Sequence, residues 1–128
     1  MKSAAATTTY TVDFGRPRIA KPVDVPVGRV PRVARMLALA HRIDQAIRTG
    51  ELRDLADAAR VVGVTRARMT QIMNLMLLAP AIQESVLELT VWVGREPISE
   101  RGLRAIVSEA DWTRQAVLWD GLCGRAEP

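Results

Sequence analysis

The chain has 128 residues, carries a formal charge of +4, and is 48% apolar but only 4% aromatic. This length suits a single domain with one core, and the near absence of alternating β-branched and aromatic stretches argues against a β-sandwich or β-barrel. The lone Cys123 cannot form an intrachain disulfide or a thiolate zinc site, and no apolar run approaches the roughly 18 residues of a membrane span. The first 14 residues also lack the apolar region of a secretory signal, so we expect a cytoplasmic protein.

The positive charge is concentrated in the first part of the chain. Residues 1–50 hold nine basic and three acidic residues, whereas residues 79–128 hold five basic and eight acidic residues. Sixteen of the eighteen basic residues are Arg, whose guanidinium forms forked hydrogen bonds with phosphate and guanine. An anionic partner is therefore expected on the first two-thirds of the chain. The alternative explanation for the Arg content is a GC-rich genome.

Residues 1–30 are predicted to form an extended or disordered basic arm, because prolines recur at intervals of four or five and prevent a helix. Within it, the segment FGRPRIAK, residues 14–21, is similar to the core of an AT-hook. That resemblance implies that Arg16, Arg18 and Lys21 enter an A·T-rich minor groove, whose narrow width concentrates negative potential. The alternative is an N-terminal segment that is solvated or packs on the core.

Three helices are predicted next from apolar residues at helical spacing. Pro31 suits the first turn of a helix that ends at Gly50, and Arg35 lies along its basic side. A second helix ends at Gly63. The third is predicted over residues 65–78, with Thr65 as its N-cap and a proline beyond its end.

The second and third helices carry the pattern of a helix-turn-helix. This motif needs a small residue where the helices cross, Gly four positions later in the turn, and apolar residues on the buried side of the second helix. Ala59, Gly63, Val64, Met69 and Ile72 occupy those positions. Burying Met69 and Ile72 leaves a polar outward face on the third helix, formed by Arg66, Ala67, Arg68, Thr70, Gln71 and Asn74.

The sequence GVTRARMTQIMNLMLLAPAIQESVL resembles the DNA-binding module of ParB/KorB partition proteins, and the likeness covers residues 52–89. The resemblance implies that Arg66 and Gln71 reach base edges. It also implies that Thr65, Arg68 and Thr70 hold phosphates. ParB proteins carry a nucleotide-binding domain and an Arg-rich box before this module, and neither has a counterpart here, so CTP binding is not implied.

The C-terminal part, residues 91–128, is predicted to be a helical extension of the DNA-binding domain at 31–90. A fourth helix over residues 81–89 precedes a break at 91–94, a fifth runs from Pro97 or Ser99 to Val107, and Asp111 begins a last one. Trp112, Ala116 and Trp119 are predicted to share one face of that helix. The acidic extension is the expected homodimer interface, because one helix-turn-helix buries too little surface for a typical specific site.

No arrangement of residues in the chain indicates an enzyme. His41 is the only His and has no cluster of metal ligands around it, and Glu84 and Glu88, one helical turn apart, are more typical of a solvated face. We therefore predict a mostly α, non-enzymatic protein without cofactors that binds double-stranded DNA and associates with the nucleoid. A layout similar to that of small proteins encoded near recombinases implies a regulator or an accessory factor in recombination or partition on mobile elements, with a recombinase or partition protein as partner. The alternative is a helical protein-protein interaction module.

Overall fold

The computed structural model describes residues 28–92 and 96–126. The minor-groove contact residues predicted in the arm, Arg16, Arg18 and Lys21, lie outside the described residues. The helices are α1 Arg32–Arg48, α2 Leu55–Val62, α3 Arg66–Met73, α4 Pro80–Leu87, α5 Glu100–Val107 and α6 Trp112–Ala126, with a 3-10 turn at Asn74–Leu77 between α3 and α4. For the described residues, the prediction of a mostly α fold with five or six helices is confirmed. Across these segments, every helix is too short or too polar to cross a membrane.

Helix α1 is the central element of the fold. It begins after Pro31, whose φ of −68° suits a helix start, and it buries Val33, Met36, Leu37 and Ala40 at spacings of three and four. The apolar face that its sequence predicts is therefore the face that packs. Both α3 and α4 lie against it.

The helices share a core in which the C-terminal part takes a direct role. Leu103, Ile106 and Trp119 pack in the same cluster as Leu37 of α1 and Leu75 of the 3-10 turn. A smaller cluster joins α1 to α2 and α3 through Ile43, Ala58, Ala59 and Met69. The predicted C-terminal extension therefore contributes side chains to the same core as the helices that precede it.

The third predicted helix ends earlier than the sequence indicates. The α-helical part of the predicted 65–78 segment stops at Met73, and a 3-10 turn follows. Leu75 within this turn and Leu78, the extended residue that follows it, are both 1% exposed. The carbonyls of Met76 and Leu78 accept hydrogen bonds from Gln83 Nε2 at 3.1 and 2.8 Å. Side-chain donors therefore satisfy these carbonyls in place of a further α-helical turn.

A short antiparallel contact ties the start of the described chain to the predicted break. Arg29 and Val91 exchange two backbone hydrogen bonds of 2.9 and 2.8 Å. Gly28 allows this approach, since a Cβ built there would lie 2.3 Å from the Thr90 Cγ2 atom. The end of the predicted arm, residues 28–30, therefore lies against the core.

The predicted apolar face of α6 is only partly correct. Trp119 is buried, but Trp112 is 56% exposed and Ala116 is exposed as well. Trp112 is the first residue of the helix, and the core does not extend that far. The buried position one turn before Trp119 is taken by a polar residue, Gln115, which is 1% exposed.

Candidate nucleic-acid interface

The turn between α2 and α3 has the geometry that the sequence pattern requires. Gly63 has a φ of +88°, in the left-handed region that favours glycine, and the N–H groups of Gly63 and Val64 donate to the Ala59 carbonyl at 2.9 and 3.0 Å. Ala59 and Met69 are 3% and 0% exposed. The small residue at the crossing lets the two helices pack closely, and α3 is held with its other side toward solvent.

Thr65 is the N-cap of α3, as predicted. Its Oγ1 atom accepts a hydrogen bond of 3.0 Å from the Arg68 backbone N–H, which satisfies one of the unpaired donors at the helix start. The hydroxyl proton remains available as a donor at the same helix end. A phosphate approaching there would meet both this proton and the positive end of the helix dipole.

The exposed face of α3 presents most of the predicted contact residues. Exposed side chains on this face and the adjoining turn are Arg66, Ala67, Thr70, Gln71 and Asn74. Arg66 and Thr70 also line an open depression of about 470 Å³ beside the start of α2, next to Asp54, Leu55 and Ala56. In the described part of the chain, no acidic side chain forms an ion pair with Arg66, so its guanidinium is available to an external anion.

Arg68 differs from the other predicted contact residues because its guanidinium is engaged within the protein. Its side chain is 28% exposed and forms a fork with Glu100 of α5: Nη2 donates to Oε1 at 3.0 Å, and Nη1 donates to Oε2. Nη1 also donates to Gln71 Oε1 at 3.0 Å. These hydrogen bonds lower the pKa of Glu100 and raise that of Arg68. The phosphate contact predicted for Arg68 therefore competes with Glu100 for the same guanidinium.

A second acidic residue holds the start of α1. Glu96 accepts from the Arg32 backbone N–H, and its Oε2 atom lies 2.8 Å from Arg29 Nη1. The backbone hydrogen bond and the nearby cations lower the pKa of this carboxyl. Arg35, the contact residue predicted on α1, is exposed one turn further along, and its charge is one of the cations that lower the pKa of Glu96.

Two glutamines that position the site were not among the contact residues that the sequence predicts. Gln83 of α4 supports the 3-10 turn. Its Oε1 also accepts a hydrogen bond of 2.7 Å from Nε2 of His41, so the only His of the sequence has a structural partner. Gln115 of α6 accepts from the Ala79 N–H at 2.7 Å and donates to the Leu77 and Glu109 carbonyls at 3.3 and 2.8 Å. A polar residue inside an amphipathic helix is identified as buried only once its partners are in place.

In the segments that the structure describes, no group of three His, Cys, Asp or Glu side chains lies close enough to hold a metal ion.

Comparison with protein-family models, curated proteins and solved structures found no match to this chain. The resemblance of residues 52–89 to ParB/KorB modules therefore stays a prediction.

Proposed function

We propose that this protein binds double-stranded DNA in a sequence-specific manner, with α3 in the major groove, as a regulator or as an accessory factor in recombination or partition. The observation that carries the proposal is the exposed α3 face, with Arg66, Thr70 and Gln71 on a helix that a left-handed glycine turn holds against α2. The basic balance of the first fifty residues favours a polyanionic partner.

In this mode the residues have different roles. Arg66 suits bidentate hydrogen bonding to guanine, and the Gln71 carboxamide reads a second base edge. Thr65 and Thr70 carry hydroxyls that donate to phosphates at the edge of the groove, and exposed Arg35 adds a positive charge from α1. Ala67 and Asn74 lie on the same exposed surface, where Ala67 offers apolar contact to a thymine methyl.

The test uses duplex sites selected from a random pool. We expect Arg66→Ala and Gln71→Ala each to weaken binding to the selected site by about 1 to 3 kcal/mol, with little effect on unselected DNA. Arg101→Ala is the control, because it removes the same charge as Arg66→Ala from an exposed position on α5, outside α3 and outside the exposed side of α6. Fluorescence anisotropy on both DNAs measures the difference. Wild-type affinity for the selected site in both α3 variants would refute the assignment.

We propose further that the protein acts as a homodimer through its C-terminal part. The exposed side of α6 carries Trp112, Val117 and Leu118, which are 56%, 69% and 44% exposed. Two copies would place two recognition helices on adjacent half-sites. Sedimentation that gave a monomer at micromolar concentration, with and without DNA, would refute dimerisation.

The second candidate function is a protein-protein interaction module. It is favoured by the large exposed apolar side chains, which include Trp92 at 62% exposure in addition to those of α6. A salt titration separates the two functions, because phosphate contacts release counterions and make log K fall linearly with log salt. An interaction module would show no salt-sensitive binding to duplex DNA.

A further inference from the structure

Three side chains connect the acidic C-terminal part to the reading face of α3. Glu100 begins α5, Arg68 lies in the first turn of α3, and Gln71 follows one turn later. Arg68 donates to both carboxylate oxygens of Glu100, at 3.0 Å in the Nη2–Oε1 bond. It also donates to Gln71 Oε1 at 3.0 Å. Gln71 on α3 is therefore linked through Arg68 to Glu100, which lies thirty-two positions after Arg68 in the sequence.

The arginine determines which way the Gln71 carboxamide points. A guanidinium has five donors and no acceptor, so the Gln71 atom that faces it must be the oxygen. The Nε2 atom, with its two donors, is then the end left to face an external partner. Gln71 itself is exposed, whereas Arg68 is 28% exposed and Glu100 is 16% exposed. Arg68 and Glu100 are thus largely shielded from solvent, whereas Gln71 is exposed to it.

This orientation has a consequence for base recognition. A glutamine that reads adenine in the major groove uses its oxygen to accept from N6 and its NH₂ to donate to N7. Here one lone pair of the oxygen accepts from Arg68 and holds the oxygen toward that residue, so the NH₂ is the end presented to a base, and its two donors match N7 and O6 of guanine, which are both acceptors. The Glu100 carboxylate offsets the charge of Arg68, which reduces the attraction of that guanidinium for a phosphate, and Arg104 shares the same carboxylate through a contact of 3.3 Å to Oε2.

We propose that Glu100 and Arg68 are positioning residues that hold Gln71 with its NH₂ outward, so that the base pair under Gln71 is read as guanine rather than adenine. The inference rests on the proposed function, since it names which base one residue of that interface selects. It assigns Arg68 to orientation and not to a phosphate. It also gives the acidic C-terminal part a role in sequence preference.

The first test removes the pair without changing the net charge, in the variant Arg68→Met with Glu100→Gln. Selection from a randomised duplex pool gives the base preference, and a salt titration gives the slope of log K against log salt. At the position that Gln71→Ala identifies, the preference for guanine over adenine, roughly 30-fold at the middle of the range for one good base contact, should be lost. The slope should remain unchanged. Arg101→Met with Glu88→Gln is the matched control at two exposed positions outside α3 and α6, and it should alter neither quantity.

The second test leaves Arg68 and Glu100 in place. Gln71→Glu keeps an acceptor toward the arginine but removes both donors, so the preferred base should change from guanine to cytosine, whose N4 group donates. Because Gln71 is exposed, this variant should melt within a few degrees of wild type. It therefore keeps the inference testable if the double variant does not fold.

The outcomes separate the two proposals. If the wild-type chain binds no duplex from the pool, the DNA-binding function is refuted, and this inference with it. If the wild type binds and the double variant keeps its guanine preference while its salt slope falls by about 0.9, Arg68 holds a phosphate and only the inference is refuted. Retained guanine preference in Gln71→Glu would also refute the inference alone.

Discussion

Replacing the buried Gln115 by methionine should destabilise the fold more than any other single polar substitution that we consider. Gln115 is 1% exposed and makes three hydrogen bonds: it accepts from Ala79 N at 2.7 Å and donates to the carbonyls of Glu109 at 2.8 Å and Leu77 at 3.3 Å. Methionine has a similar length and flexibility, so the packing changes little. The loss is therefore a measure of the hydrogen bonds.

The magnitude follows from what the substitution leaves unpaired. The Ala79 N–H loses a buried hydrogen bond, at about 1 to 3 kcal/mol for a buried group without a partner. The bonds to the Glu109 and Leu77 carbonyls are part-buried, and each adds about 1 kcal/mol, at the lower end of that range. The greater hydrophobicity of methionine offsets roughly 1 kcal/mol. We expect a net loss of about 3 kcal/mol, which lowers the melting temperature of a domain of this size by roughly 11 °C.

Chemical denaturation followed by circular dichroism measures this loss directly. Gln45→Met is the matched control, because Gln45 is exposed on α1 and a surface substitution usually changes stability by less than about 0.5 kcal/mol. A loss below about 1 kcal/mol in Gln115→Met, with the denaturant slope unchanged, would show that these hydrogen bonds do not hold α6 against the end of the 3-10 turn.

Four further predictions concern the turn, the acidic residues, exposed Arg35 and the N-terminal segment. Gly63→Ala should cost about 1 to 2 kcal/mol by thermal melting, because φ is +88° and a Cβ there meets no other atom within 4 Å, so the strain is that of the backbone alone. The pKa values of Glu96 and Glu100 are lowered in the folded state. Their stabilising contribution is therefore present above the ordinary glutamate value and is lost as the pH falls below it toward the folded values. Melting temperatures from pH 6 to pH 3 should fall less steeply in a variant with both residues replaced by Gln, and an unchanged profile would contradict the assignment. Arg35→Ala should lower the slope of log K against log salt by about 0.9 if that exposed side chain meets a phosphate. Deletion of residues 1–27 should lower the slope by about twice that amount, as expected for the loss of two phosphate contacts, while the helical content persists. A sharp drop in melting temperature on that deletion, with the slope unchanged, would instead show that the segment packs on the core.

Local patterns in the sequence determined the helices and the turn between α2 and α3. Apolar spacings of three and four select one face of a helix, and Val33, Leu37 and Ala40 are buried on that face as expected. The positive φ of Gly63 follows from the same local logic, since glycine adopts this conformation without a Cβ clash. Such features depend on residues within one or two turns of each other, which is why the sequence alone predicts them.

Only the tertiary structure decided where α3 ends and which of its side chains are paired within the protein. The sequence predicts α-helix to residue 78 and a free Arg68, but the chain leaves the α-helix after Met73 and Arg68 pairs with Glu100. Gln83 and Gln115 satisfy the carbonyls of the 3-10 turn from α4 and α6. These partners lie five to thirty-eight positions away along the chain. Their approach depends on how whole helices pack, and no periodicity within a single helix encodes it.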